Sequence, residues 1–358
     1  MMTGQNSGPP PDYDGGPYAT EQAAKIIQHP NPPPPKKTLD DFALDWDVED
    51  RFDKMKADVF VLAGLAIRGD VTVIHGPPGS GKTLITMRSL VDSITAGTIA
   101  GADVYYVNAD DNYKGLLTKL RLAQKRGFRM LAPGQNDFTA DILKNIMRIE
   151  IGKSEVAGKI LILDTIKKFA DTMSKSGVSK FMNLCREWVA NGGTIIALAH
   201  CNKHRDLAGK LIHSGTQDLI DDPDCSYMLD ITNNDGHTAF VEFECAKCRG
   251  DNAQKLAFTY FSKRGITYIE RLASVRSLSQ DEERTLQADA KISSLPEGPR
   301  EVFDYLLSIS PNHARPKEIA DALGLGHEMV KNKMLPRLIS TGLVNKRGRG
   351  MYEISDIG

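Results

Sequence analysis

The sequence has no run of apolar residues approaching the roughly 18 that a membrane span needs, and none at its start that reads as a secretory leader. It has only five cysteines, an odd number scattered over 358 residues. That pattern reads as reduced thiols in a cytoplasmic protein rather than as a disulfide framework. It has almost no net charge, −1, so no global field draws it to nucleic acid, and any such contact must come from local patches. A single C-x-x-C, Cys245-Ala246-Lys247-Cys248, has no second C-x-x-C to complete it, so neither a metal centre nor a redox pair is expected there. What remains, 41% hydrophobic and 25% charged, describes a soluble globular chain long enough for two or three domains.

Against that background stands Gly76-Pro77-Pro78-Gly79-Ser80-Gly81-Lys82-Thr83, which fits the phosphate-binding pattern G-x-x-x-x-G-K-[ST]. A short β-branched apolar run, 71–74, precedes it, and a stretch with apolar residues at helical spacing, 83–91, follows it. Strand, glycine loop and helix is the order the chemistry needs. The glycines let backbone N–H groups close around phosphate oxygens, and the helix N-terminus adds a positive dipole end. Lys82 would reach the β- and γ-phosphates of ATP, and the Thr83 hydroxyl would hold Mg²⁺.

The rest of the chain falls into place around this loop. Residues 1–38, with Gly8-Pro9-Pro10-Pro11 and Pro32-Pro33-Pro34-Pro35, are expected to be a disordered proline-rich tail with a short helical piece at 20–28. Residues 39–274 are expected to form the domain built on the loop. Apolar strands at 71–74, 102–108, 159–164 and 193–200 alternate with helices at 113–125, 140–149 and 178–190. Near-continuous apolar strands between helices mean a parallel sheet covered on both faces, an α/β fold. Beyond Cys225 the texture changes to consecutive hairpin strands at 227–231, 238–244, 255–261 and 266–269. Residues 275–294 are polar and charged and read as a linker helix or tether. Residues 295–358 read as a small separate domain of three helices and a basic hairpin, with Pro336 breaking or kinking the third helix.

Several acidic and basic residues sit where phosphoryl chemistry would need them. Asp164 ends an apolar strand some eighty residues after Lys82, the place for a carboxylate that binds Mg²⁺ through water. The residue after it is Thr165, not an acid, so a catalytic base must come from elsewhere. Asp110, with Asp111 behind it, follows the strand after the first helix and can orient the attacking water. In these features the chain resembles RecA-fold ATPases over about residues 58–270, especially hexameric replicative helicases of the DnaB and plasmid RepA type. Those families usually carry a glutamate at the position of Asp110. The resemblance implies that His200, ending the fourth strand, is the polar sensor of the γ-phosphate. It also implies that Lys247 and Arg249, in a variant of the family's K-x-R-x-G stretch with Gly250 one residue early, reach into a neighbouring subunit's ATP site. The protein would then be a homo-oligomeric ring, a hexamer by analogy.

Two segments leave the same edge of the sheet, one with Lys167 and Lys168, the other a long connection with Lys203, Arg205 and Lys210. In RecA-fold rings such loops line the pore and track single-stranded DNA by its phosphates. In the last domain Lys331, Lys333, Arg337, Lys346, Arg347 and Arg349 fall on the third helix and the hairpin, with no acid between residues 329 and 352. The domain resembles a winged helix-turn-helix, and that footprint suits duplex DNA. The reading reached is an ATP-dependent DNA motor, a hexameric helicase acting on single strands in plasmid or phage replication or recombination. Two others stay open: a recombination ATPase that coats single strands, and a nucleotide-switched DNA-binding or helicase-loading protein.

Overall fold

The computed structural model describes residues 38, 40–43, 59–205 and 211–355. The proline-rich tail, the helical piece at 20–28 and Lys210 lie outside the described residues, as do the side chains of Lys203 and Arg349. The chain divides into two units, Met1–Lys54 and Met55–Gly358. In the first, a 3-10 turn spans Asp40–Phe42, and Asp41 Oδ2 accepts from the backbone N–H and hydroxyl of Thr38.

The second unit is built on a mixed sheet. In chain order its strands are β1 Phe60–Leu62, β2 Ala66–Ile67, β3 Val71–Gly76, β4 Val104–Asn108, β5 Arg129–Leu131, β6 Ile160–Asp164, β7 Thr194–Arg205, β8 Leu211–His213, β9 Cys225–Asn234, β10 Thr238–Cys248, β11 Lys255–Phe261, β12 Arg276–Ser277, β13 Val344–Arg347 and β14 Met351–Ile354. The helices are α1 Lys82–Thr95, α2 Tyr113–Arg126, α3 Ala140–Gly152, α4 Lys175–Ala190, α5 Asp218–Asp221, α6 Tyr268–Ala273, α7 Gln280–Ser293, α8 Glu297–Ile309, α9 Pro316–Leu323, α10 His327–Met329 and α11 Leu335–Ser340. The main sheet runs β12-β11-β10-β9-β3-β7-β6-β4-β5. From β9 to β5 the neighbours are parallel, and β9, β10, β11 and β12 are antiparallel.

The apolar strands sort into two cores because side chains alternate across a sheet. Ile74, Ile160, Ile162, Ile196 and Leu198 face one cluster, with α1 and α2 laid over it. Val71, Val73, Leu161, Leu163, Ile195 and Ala197 face the other, covered by α3 and α4 through Met147, Phe181 and Trp188. The α/β class, the parallel sheet that carries the glycine loop and the antiparallel hairpins after it are therefore the observed architecture. No helix among the described residues is long and apolar enough to cross a membrane.

Three local expectations are corrected. The fourth strand does not stop at His200: β7 continues to Arg205 and pairs with β8, Cys201 opposite His213, so the long connection begins as a hairpin. Residues 266–269 are not a strand. Thr267 accepts from the Glu270 N–H and Glu270 accepts in return from Thr267, and this reciprocal cap starts α6. The polar segment 275–294 holds β12 and the helix α7, with Gln287 and Lys255 both reaching Glu242 and Glu283, which leaves the linker expectation uncorrected. Finally, the thiols are not all reduced: Cys245 and Cys248 form a disulfide, and Cys185, Cys201 and Cys225 are free.

The C-terminal residues carry their own apolar cluster, centred on Val302, Phe303, Leu306, Ile319, Leu335 and Leu338. Pro336 has no N–H to continue a helical ladder. The chain resolves this with a π-helical turn, Val330–Met334, before α11, which places Pro336 in the first turn, where no donor is required.

Candidate nucleotide site

The parallel register brings the chemistry to one edge of the sheet. Gly76 on β3 lies level with His200 on β7, and Asp164 on β6 lies level with Leu198 on β7 and Asn108 on β4. Strand ends that are distant in sequence therefore open onto a single cleft of about 900 Å³, lined by the P-loop, Asp110, Asp111, Lys119, Asp164, His200, Tyr260 and Tyr268.

The loop has the backbone a phosphate cradle needs. Gly79 and Gly81 adopt φ of 76° and 87°, a region side-chain-bearing residues avoid. A Cβ on Gly81 would stand 2.6 Å from the Tyr260 ring. Ser80 Oγ is buried with no hydrogen-bond partner, an orphan that a phosphate oxygen would satisfy. Lys82 Nζ donates to the Gly76 and Pro77 carbonyls at 2.7 and 2.8 Å, so the ammonium is folded back onto its own loop.

Burial lowers the Lys82 pKa to about 8, against the pull of nearby Asp164 and Asp110 and with the help of Lys167. This has a measurable consequence. Phosphates bind the ammonium, not the neutral amine. About nine-tenths of Lys82 is charged at pH 7 and about one-tenth at pH 9. The Kd of a non-hydrolysable ATP analogue is therefore expected to rise about tenfold across that interval, read by equilibrium fluorescence titration. A flat profile would show that Lys82 does not carry the phosphate charge.

Asp164 is the hub of the cleft's carboxylates. Its Oδ2 accepts from the Thr83 hydroxyl at 2.9 Å and from the Tyr106 hydroxyl at 2.8 Å, and Lys119 Nζ lies 3.9 Å away. Burial raises its pKa, and Lys119, Tyr106 and Thr83 pull it back. Thr83 and Asp164 thus present two hard oxygens beside the phosphate loop, a donor set that fits Mg²⁺.

The two acids after β4 are unequally placed. Asp111 is engaged: its Oδ2 contacts Lys119 Nζ at 2.6 Å and accepts from Asn108 at 2.8 Å. Asp110 is freer and half-exposed, with Lys167 Nζ at 3.8 Å and His200 Nε2 at 3.9 Å. Lys167 therefore stands at the rim of this cleft. His200 has no hydrogen bond on either ring nitrogen. Burial, with Lys82 and Lys167 nearby, lowers its pKa, so the ring is neutral at pH 7.

Sequence reasoning missed Lys119, Tyr106, Tyr260 and Tyr268. Lys119 was in principle legible: it lies three and four residues before Leu122 and Ala123, on the buried stripe of α2. A lysine on an apolar face implies a buried acid. The tyrosines carry no such signal, because only strand and helix packing turns their hydroxyls toward the site.

Arg249 lies at the other end of the sheet. Its N–H donates to the Asp224 carbonyl, and the Asp224 N–H donates to the Val71 carbonyl. Val71 is five residues before Gly76, roughly 16 Å along a strand. Arg249 Nη1 contacts Asp224 Oδ1 at 3.0 Å, and Lys247 donates to the Asp221 carbonyl. Neither reaches the cleft of its own chain. Arg205 pairs with Asp230 at 2.6 Å on the extended hairpin, and Lys168 is exposed on the turn after β6. Lys331, Lys333, Arg337 and Lys346 are exposed near the C-terminus, and Arg347 contacts Glu353 at 3.0 Å.

No family model matches the chain, and no curated protein matches it. Among solved structures it is similar to an ATPase domain at 12% identity and a TM-score of 0.45, over 65% of this chain and 96% of that one. It is also similar to the flagellar accessory protein FlaH from Methanocaldococcus jannaschii at 12% identity and a TM-score of 0.42, over 64% of this chain and 96% of that one.

Proposed function

We propose that this protein is an ATP-driven DNA motor of the hexameric helicase kind, acting on single-stranded DNA in the cytoplasm during plasmid or phage replication or recombination. The observation that carries this reading is the convergence of the phosphate loop, the Thr83–Asp164 pair, Asp110 and His200 on one cleft. In this reading residues 39–274 are the motor and 295–358 a winged helix that contacts duplex DNA, with 1–38 a tail and 275–294 the connection.

The chain's own groups would divide the work of hydrolysis. Backbone N–H groups of residues 79–83 and the Lys82 ammonium bind the phosphates, Lys82 leaving the carbonyls it now contacts. Thr83 and Asp164 hold Mg²⁺, which supplies charge neutralisation on the phosphate oxygens. Asp110 accepts a hydrogen bond from water and aims it in line with the leaving oxygen. Neutral His200, level with Gly76, sits between that water and the β7–β8 hairpin. A change at the γ-phosphate is thereby passed to a segment that bears Lys203, Arg205 and Lys210. Lys247 and Arg249 act in the neighbour's cleft.

Steady-state ATP hydrolysis with and without single-stranded DNA, with Lys82→Ala as blank, tests the reading. Strong stimulation by single strands and unwinding of a forked duplex are expected. Slow turnover indifferent to single strands would sink the motor, and tight binding of one duplex sequence would then favour a nucleotide-switched DNA-binding protein. Stimulation without unwinding, with filaments in electron micrographs, would favour a strand-coating ATPase.

A further inference from the structure

The three cysteines at the start of β9 and the end of β10 are far apart in sequence but share one face of the sheet. Cys245 pairs with Tyr227 and Cys248 with Cys225, with a register irregularity between Cys245 and Lys247. In a regular strand residues three apart point to opposite faces. The extra residue of the bulge reverses that parity. Cys225 and Tyr227, two apart on β9, share a face, so their partners Cys248 and Cys245 share it as well. The three sulfur atoms lie within 4.8 Å of one another. Cys225 Sγ is 3.2 Å from Cys248 Sγ, which is bonded to Cys245. Cys225 is buried, while Cys245 and Cys248 are half-buried at the surface.

We propose that, once the Cys245–Cys248 bond is reduced, Cys225, Cys245 and Cys248 form a three-thiolate site for Zn²⁺. A thiol reductant supplies two electrons and two protons to open the S–S bond, becoming a disulfide itself. Zn²⁺ then takes three thiolates, whose protons go to solvent, and a water fills the fourth position. Soft sulfur ligands select Zn²⁺ over the hard Mg²⁺ of the nucleotide cleft. Zn–S bonds of about 2.3 Å in a tetrahedron hold sulfurs roughly 3.8 Å apart, a spacing inside the cluster's present dimensions. The metal would fasten the end of β10 to the start of β9, one residue before Arg249. That last consequence rests on the proposed role of Arg249, but the test of the metal does not.

The test is metal content and spectroscopy, with no ATPase readout. Full-length protein purified under a thiol reductant without chelator should carry about one zinc per chain, released by a mercurial that caps thiols. Co²⁺ exchanged into the reduced wild-type chain should give a thiolate-to-cobalt charge-transfer band, a reading that needs no variant to fold. Cys225→Ser and Cys248→Ser should lose the zinc and the band, while Cys185→Ser, on α4 in the core of the opposite face, should keep both. Reduced wild-type protein that neither carries nor takes up zinc would overturn the proposal, leaving the pair as a plain disulfide. Zinc retained by Cys248→Ser would equally overturn it, as adventitious binding.

Discussion

Arg249→Ala is expected to leave nucleotide binding intact and to lower ATP turnover by about a thousandfold, the low end of what removing an arginine finger costs. The fold should tolerate the change. Arg249 is half-exposed, and an ion pair of that kind contributes about 0–1 kcal/mol. Asp224 keeps its second oxygen on the Val71 N–H at 3.0 Å. A thermal melt superposable on wild type would therefore separate loss of chemistry from loss of structure. Any action of the arginine on the phosphates would have to be intermolecular, because it sits at the Val71 end of β3 while the phosphate loop leaves the Gly76 end. Mixing Arg249→Ala with Lys82→Ala should consequently restore part of the turnover, since some interfaces then join an intact phosphate loop to an intact arginine. An Arg249→Ala protein with undiminished turnover would remove the finger from the mechanism, and absence of complementation would remove the shared site.

Lys119→Met is expected to have the largest effect on stability. Lys119 is a buried cation between two carboxylates, 2.6 Å from Asp111 and 3.9 Å from Asp164. Deleting one partner of such a group leaves uncompensated buried charge and costs about 3–5 kcal/mol, a Tm drop on the order of 10 °C for a chain of this size. The pH dependence has a definite sign. Burial already raises the Asp164 pKa, and without Lys119 it rises further above its unfolded value. A group whose folded pKa exceeds the unfolded one weakens the fold when both states are ionised, and less so as protonation proceeds. The deficit should thus be full at pH 7 and should shrink as the pH falls through the carboxylate range. Melts of wild type and variant from pH 7 to pH 4 check this, and a deficit independent of pH would show that the cost is packing rather than charge.

Much of the molecule was legible before any coordinates. The P-loop declares itself through spacing alone, because phosphate binding needs consecutive backbone N–H groups, and those are contiguous in sequence. Asp164 was legible as a strand end, since an apolar run that stops on a polar residue marks the edge of a parallel sheet, and the same signal picked out His200 although the strand runs on past it. The extent of β7 was not. Whether a chain continues as a strand past His200 depends on the β8 partner it finds, and cross-strand pairing leaves no periodic trace in a segment as polar as residues 202–210. The start of α6 was misread although its T-x-x-E cap was present, because the apolar residues at 266–269 also satisfy a strand pattern.

The sequence by itself determined the covalent neighbourhoods: the glycine loop, the near-continuous apolar strands of a sheet covered on both faces, and the proline that interrupts the last domain's third helix. Only the tertiary structure decided what meets across strands. It sets Lys119 between Asp111 and Asp164, turns the Tyr106 hydroxyl onto the same carboxylate, and puts Arg249 at the far end of the sheet from its own phosphate loop. It also joins Cys225 to a C-x-x-C twenty residues later through one extra residue in β10. Each of these depends on register, and a shift of one residue in pairing would turn every side chain to the other face.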